Sequence, residues 1–130
     1  MVRIVIDSSA LVAILAGEGD AGDLLERIAA ASQRCLSATK HLEARIVLGY
    51  GRNVPSSRLE ELLTRWDVDI VPFDAALSDL AFEAYGRYGK GRHPARLNMG
   101  DCAAYALAKA RGWPLLYKGE DFSGTDIERA

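Results

Sequence analysis

The sequence predicts an α/β sandwich around a mostly parallel central sheet, with helices on both faces. Two observations carry this expectation. Short runs rich in Val, Ile and Leu alternate with segments of helical period almost from end to end, the pattern of successive β–α units. The helical segments are also punctuated by residues that start and stop helices, such as Asn98 and Gly112.

Residues 2–6 are mostly β-branched and are followed by Asp7, Ser8 and Ser9, so they read as a buried strand. Residues 8–16 read as a helix ended by Gly17 and Gly19. Residues 21–32 read as another, with Leu24, Leu25 and Ile28 at helical spacing. A second strand is expected at 35–38, after which Thr39 is placed to cap a helix running to about Gly51. Pro55 breaks the chain. Ser56 or Ser57 then caps a helix whose Leu59, Leu62 and Leu63 suit the core or a groove for a partner helix. A third strand at 69–73 leads to Asp74, which opens a long helix to about Tyr88. Periodicity is lost among Gly, Pro and basic residues up to Arg96. Asn98 caps a helix over 99–111, closed by Gly112, whose Ala103, Ala104, Ala106, Ala108 and Ala110 suit close packing on a sheet. Residues 115–117 are a fourth strand and 125–127 a last short one.

With 130 residues, 49% of them hydrophobic and 26% charged, the chain has the make-up of one globular domain, residues 1–130. Its net charge of −2 argues against coating nucleic acid by bulk charge, but leaves room for a local basic patch. Cys35 and Cys102 stand apart, with no CxxC pair and no Cys/His cluster, and read as reduced core thiols rather than zinc ligands. The longest apolar run, 10–16, is too short to span a bilayer, and no cleavage-site pattern follows it. A cytoplasmic protein that does not enter membranes is the expectation.

In a parallel sheet, ligands bind beyond the carboxyl ends of the strands. Four acids are placed to arrive there. Asp7 follows the first strand, Glu43 lies early in the helix after the second, Asp101 opens the helix before the fourth, and Asp121 follows the fourth. Each also has a plainer explanation. Asp7 can cap the helix at Ser8, Asp101 can form a capping box with Asn98, and Asp121 can be a loop acid. Glu43 shares a helix face with Ile46, Val47 and Tyr50. That apolar face is expected to turn inward, where an unpaired charge is costly, and either a metal or a basic partner must offset it. Asp74 is explained fully as a cap. Acids without His or Cys suit Mg²⁺, or Mn²⁺, rather than zinc. Such a cluster best fits phosphodiester hydrolysis by metal-activated water.

The same residues carry a family likeness. V-I-D-S-S-A-L-V-A-I-L at 5–15 resembles the first motif of PIN domains, and H-L-E-A-R-I-V at 41–47 their second acidic motif. The stretch from Gly89 to Lys109 is very similar to the third motif of VapC-type toxins, and 114–127 resembles the fourth. The resemblance implies a PIN-like fold and a Mg²⁺-dependent endoribonuclease, the toxin of a type II toxin–antitoxin system. It also implies an RNA substrate, homodimers and an inhibitory VapB-type antitoxin. Asp7, Glu43, Asp101 and Asp121 take the acidic positions, and Ser9 matches a small polar residue beside the first acid. One departure stands out: many PIN domains carry the fourth acid where this chain has Gly119, so Glu120 competes with Asp121 for that place.

Arg87, Lys90, Arg92 and Arg96, with His93 among them, form a basic stretch just before Asp101. Arg92 and Arg96 are candidate RNA contacts. Docking of the antitoxin and a solvated loop are the alternatives. Tyr85 and Tyr88 suit helix packing more than base stacking. Two other readings of the chain compete. A haloacid-dehalogenase phosphatase needs an Asp where Ser9 stands. A catalytically silent PIN-like module that only binds protein would not need all four acids.

Overall fold

The structure, a computed structural model, describes residues 2–130. Four parallel strands lie in the order β3-β2-β1-β4, with β1 Arg3–Ile6, β2 Gln33–Ser37, β3 Val68–Val71 and β4 Leu115–Leu116. The chain moves from β1 outward to β2 and β3, then returns to place β4 on the other side of β1. That reversal makes β1 the point where the rim of a parallel sheet opens into a crevice.

Successive residues of a strand point to opposite faces, and here both faces are apolar. Ile4, Ile6 and Leu36 join a core with α1 (Ser8–Leu15), α2 (Ala21–Ala30), α3 (Ala38–Ile46) and α4 (Ser56–Arg65). Val5, Cys35 and Leu115 join the opposite core with α5 (Ala75–Tyr88) and α6 (Met99–Arg111). Both thiols are buried and unbonded to each other, and burial pushes each up to about 11. Ala103, Ala104, Ala106 and Ala108 are buried where α6 crosses the sheet, whereas Ala110 is exposed. Among the described residues no helix is long and apolar enough to cross a membrane.

Several local expectations give way to competing contacts. The second strand starts two residues early, at Gln33, because Arg3 and Ile4 pair with Gln33 and Arg34. Ser37, not Thr39, caps α3, its hydroxyl accepting from the Thr39 amide at 3.3 Å. The helix does not run evenly to Gly51; it widens into a π-turn over Val47–Gly51. Neither Ser56 nor Ser57 caps α4, which begins after Pro55 without a side-chain cap. Its Leu59 and Leu63 are buried in the core. Residues 125–127 form no strand. Instead Arg129 makes an isolated bridge beside Leu115, with the Ala130 amide on the Leu115 carbonyl at 2.9 Å. Asp74 does what a cap alone requires, accepting from the Leu77 amide at 2.9 Å.

Candidate active site

At the carboxyl rim beside β1 lies a cleft of about 470 Å³. Asp7, Glu43, Asp101 and Asp121 all line it, together with Ser8, Ser9, Lys40, Asn98 and Lys118. The acids come from four separate stretches of chain, so only the fold brings them together.

Asp7 is the N-cap of α1 and is buried. Its Oδ2 accepts from the Ser9 amide at 3.1 Å and from Ser9 Oγ at 2.6 Å. Ser9 Oγ in turn accepts from the Lys118 amide at 3.0 Å, which ties the Asp7 carboxylate to the loop after β4. Asp7 Oδ1 is different: it is buried and accepts no hydrogen bond, with the Lys40 ammonium 3.4 Å away.

Asp101 is held at the first turn of α6 by a reciprocal capping box with Asn98. Burial raises its pKa, and the neighbouring Asp121 and Asp7 carboxylates act in the same sense, against the Asn98 amide and Lys40. Like charges gathered at one site are what a bound cation would relieve.

Glu43 corrects an expectation. Ile46, Val47 and Tyr50 do not face the core; they are 50%, 37% and 93% exposed. The inward stripe of this helix is Lys40, Ala44 and Leu48. Glu43 is half-buried and already paired, accepting from Ser8 Oγ and ion-paired to Lys40. Burial would raise its pKa, but the Lys40 and Ser8 hydrogen bonds outweigh that and lower it. For Lys40, burial pulls downward, yet Asp7, Glu43 and Asp101 leave its pKa above the ordinary lysine value.

Does this donor set suit a divalent ion? The donors are hard oxygens, and Asp7 Oδ1 is an orphaned buried carboxylate atom, as a Mg²⁺ or Mn²⁺ ligand would be. As they stand, no three acids among the described residues converge closely enough to enclose an ion. The Lys40 ammonium is the reason on one side, since it takes the space between Asp7 and Glu43. On the open side, towards Asp101 and Asp121, the cleft offers hard carboxylate oxygens of the kind that hold Mg²⁺ through one or two carboxylates, with water and substrate phosphate completing the shell.

A family model for the PIN domain matches residues 4–128. The chain belongs to the PIN-domain family. It is 50% identical over 124 residues to a Mycolicibacterium smegmatis protein named Ribonuclease VapC, covering 95% of this chain and 96% of that one. Its fold is similar to that of the solved Mycobacterium tuberculosis VapC20, described as a Sarcin-Ricin loop cleaving toxin. There the TM-score is 0.78, with 18% identity over 98% of each chain. It is also similar to a chain in a toxin–antitoxin complex from Klebsiella pneumoniae, with a TM-score of 0.74 and 18% identity over 95% of this chain and 93% of that one. Membership leaves no place for the haloacid-dehalogenase reading.

In this PIN domain the adjacent acids after β4 part company. Asp121 lines the cleft. The Glu120 carboxylate is 78% exposed and stands 3.8 Å from Arg129. Arg92 and Arg96 do not line the acidic cleft; with Lys90 and His93 they border a separate surface hollow between α5 and α6. Tyr88 is buried, tilted against Tyr105 and edge-on to His93, which assigns it to packing. Four charged or hydroxyl residues of the cleft escaped the sequence reading: Ser8, Glu18, Lys40 and Lys118. For Lys40 a signal existed, since it precedes Glu43 by three positions, one helix face apart.

Proposed function

We propose that this chain is the toxin of a VapC-type toxin–antitoxin pair, an endoribonuclease that hydrolyses RNA phosphodiester bonds at the acidic cleft. What carries the reading is the meeting of Asp7, Glu43, Asp101 and Asp121 in one rim cleft, in a chain half identical to a named VapC ribonuclease.

The chain's own residues supply position and charge. Ser9 fixes the rotation of Asp7 through Oδ2, which leaves Oδ1 without a hydrogen-bond partner beside the Lys40 ammonium. Asn98 fixes Asp101. Asp121 reaches the cleft from the loop after β4, with Phe122 buried behind it as an anchor. Asp7, Asp101 and Asp121 would hold a divalent ion, Mg²⁺ or Mn²⁺, which would supply the Lewis acidity for attack by water on the phosphodiester. The N-termini of α1 and α6 face the same rim, and their free N–H groups favour the phosphate's negative charge. Ser9, Arg92 and Arg96 are the proposed RNA contacts, with Ser9 inside the cleft and the arginines at the separate hollow before α6.

The experiment is RNA cleavage by the purified chain with Mg²⁺ or Mn²⁺, with excess EDTA, and with Asp7→Asn. Cleavage that needs the metal and Asp7 is the expected result. Undiminished cleavage in EDTA overturns the metal reading, and no cleavage under any condition favours the silent protein-binding module.

The partners in this reading are a VapB-type antitoxin and a second copy of the chain. Phe82 and Met99, 80% and 81% exposed, rim an apolar groove with Phe73 and Tyr85. Exposed apolar area of this kind marks an interface, and we assign it to self-association. Phe82→Glu should convert a dimer to a monomer by light scattering; a dimer that survives the change is held elsewhere.

A further inference from the structure

Lys40 is among the largest fully buried side chains, and it is the only buried lysine or arginine among the described residues. Lysines are rarely buried without a specific partner. This one lies on the inward stripe of α3, and its ammonium ends inside the acidic cleft. It is ion-paired to Glu43 and lies 3.4 Å from Asp7 Oδ1. The first turn of α6 closes over it: a methyl group at Gly100 would sit 3.2 Å from the ammonium and 2.8 Å from Glu43 Oε1. The ammonium is therefore walled in by α1, α3 and α6, below the open cleft.

We infer that Lys40 is a resident cation occupying the place between Asp7 and Glu43 where a second divalent ion would otherwise sit, so that the cleft takes a single divalent ion on its Asp7–Asp101–Asp121 side. The inference rests on the metal-dependent reading above and adds the number and position of the ions. Its logic is charge and space. Glu43 gives one carboxylate oxygen to both Lys40 and Ser8. An ion bridging Asp7 and Glu43 would lie in contact with the ammonium, where two cations repel strongly at low dielectric. Among the described residues no lysine or arginine is ion-paired to Asp101 or Asp121, and both carboxylates line the open part of the cleft. Lys40 is thus a positioning residue. It holds Glu43 and Asp7 Oδ1 in place and fixes the metal count.

The test counts ions rather than turnover. Mn²⁺ is titrated into the full chain, and the free ion is followed by its paramagnetic resonance signal, with circular dichroism as the check of fold. The wild type should bind a single Mn²⁺ per chain, and Lys40→Arg should do the same. Lys40→Met keeps the length and apolar stem but removes the charge, and should admit a second Mn²⁺. Two ions in the wild type would overturn the inference while leaving the metal reading intact. A single ion in a folded Lys40→Met variant would also overturn it. If Lys40→Met does not fold, the wild-type and Lys40→Arg counts still decide: either one at two ions refutes the proposal. No Mn²⁺ binding at all would sink the metal reading itself.

Discussion

Asn98 and Asp101 hold each other in place. The Asp101 amide donates to Asn98 Oδ1 at 2.9 Å, and the Asn98 amide donates to Asp101 Oδ2 at 3.0 Å. A cleft acid is therefore oriented by the bond that starts its helix, and the two roles can be separated. Asn98→Ala removes the side-chain half of the box, which should cost about 1 kcal/mol of stability. The backbone half, which orients Asp101, survives. Cleavage should then fall only a few-fold while the melting temperature drops. Asp101→Asn keeps an oxygen acceptor for the box but removes the charge. The expected outcome is the reverse: a near-normal melt with cleavage down roughly 10²- to 10³-fold, the scale for losing one preorganised charged group. Parallel melts and cleavage rates on both variants check this; equal loss of stability in both would mean that Asp101 serves the helix alone.

That dual use explains why the site was only partly legible in the sequence. The strands announced themselves through runs such as residues 2–6, buried on both faces, and the acids through their places after the strands. What the sequence could not show was which way a helix face points. Ile46, Val47 and Tyr50 share a face with Glu43, and periodicity reports that sharing but not its direction. The inward stripe of α3 is Lys40, Ala44 and Leu48, and a lysine at its head disguises it as solvated. Of the groups around that lysine, Glu43 is three positions away, but Asp7 and the backbone at Gly100 lie far off in sequence and meet it only through tertiary packing. After β4 the sequence left Glu120 and Asp121 in competition, because a loop has no period to fix its register; of the two, Asp121 lines the cleft.

Away from the cleft, Asp126 should govern acid sensitivity. Its carboxylate accepts from Lys109 at 2.8 Å and from the Tyr105 hydroxyl at 2.5 Å. Those two bonds bring its pKa down to about 2. A carboxylate depressed on folding contributes stability above its unfolded pKa, near 3.9, and loses it as pH falls through the folded value. Asp126→Asn should therefore lower the melting temperature at pH 7, by about 2–4 °C since the pair is partly exposed. The gap to the wild type should close between about pH 4 and pH 2. Melts across that range decide; a constant gap would mean that packing, not charge, is lost.

The basic turn before α6 makes a prediction about RNA. If Arg92 and Arg96 each neutralise one phosphate of a single strand, replacing both with Gln should reduce the slope of log affinity against log salt by about 1.4. Binding measured in EDTA, where the metal-dependent reading forbids cleavage, isolates this effect. An unchanged slope with weaker antitoxin binding would assign the pair to the protein partner.

The last prediction separates the adjacent acids after β4. Their side chains diverge: Glu120 stands out in solvent near Arg129, and Asp121 lines the cleft. Phe122, buried against Tyr117 with ring centroids 5.0 Å apart, fixes the register that makes them diverge. Asp121 is itself exposed and comes from a loop, so it is a less constrained ligand than Asp101, which is buried and boxed. Removing its charge should weaken the site without abolishing it. We expect Asp121→Asn to lower cleavage roughly tenfold, about 1.4 kcal/mol of barrier, with part of the loss recovered at high Mg²⁺. Glu120→Gln should change the rate by less than about twofold, as a surface pair contributes little. Rates for Asp121→Asn, Glu120→Gln and Asp101→Asn over a Mg²⁺ titration give the ranking. A larger loss in Glu120→Gln than in Asp121→Asn would show that the loop presents the other carboxylate when RNA and metal are bound.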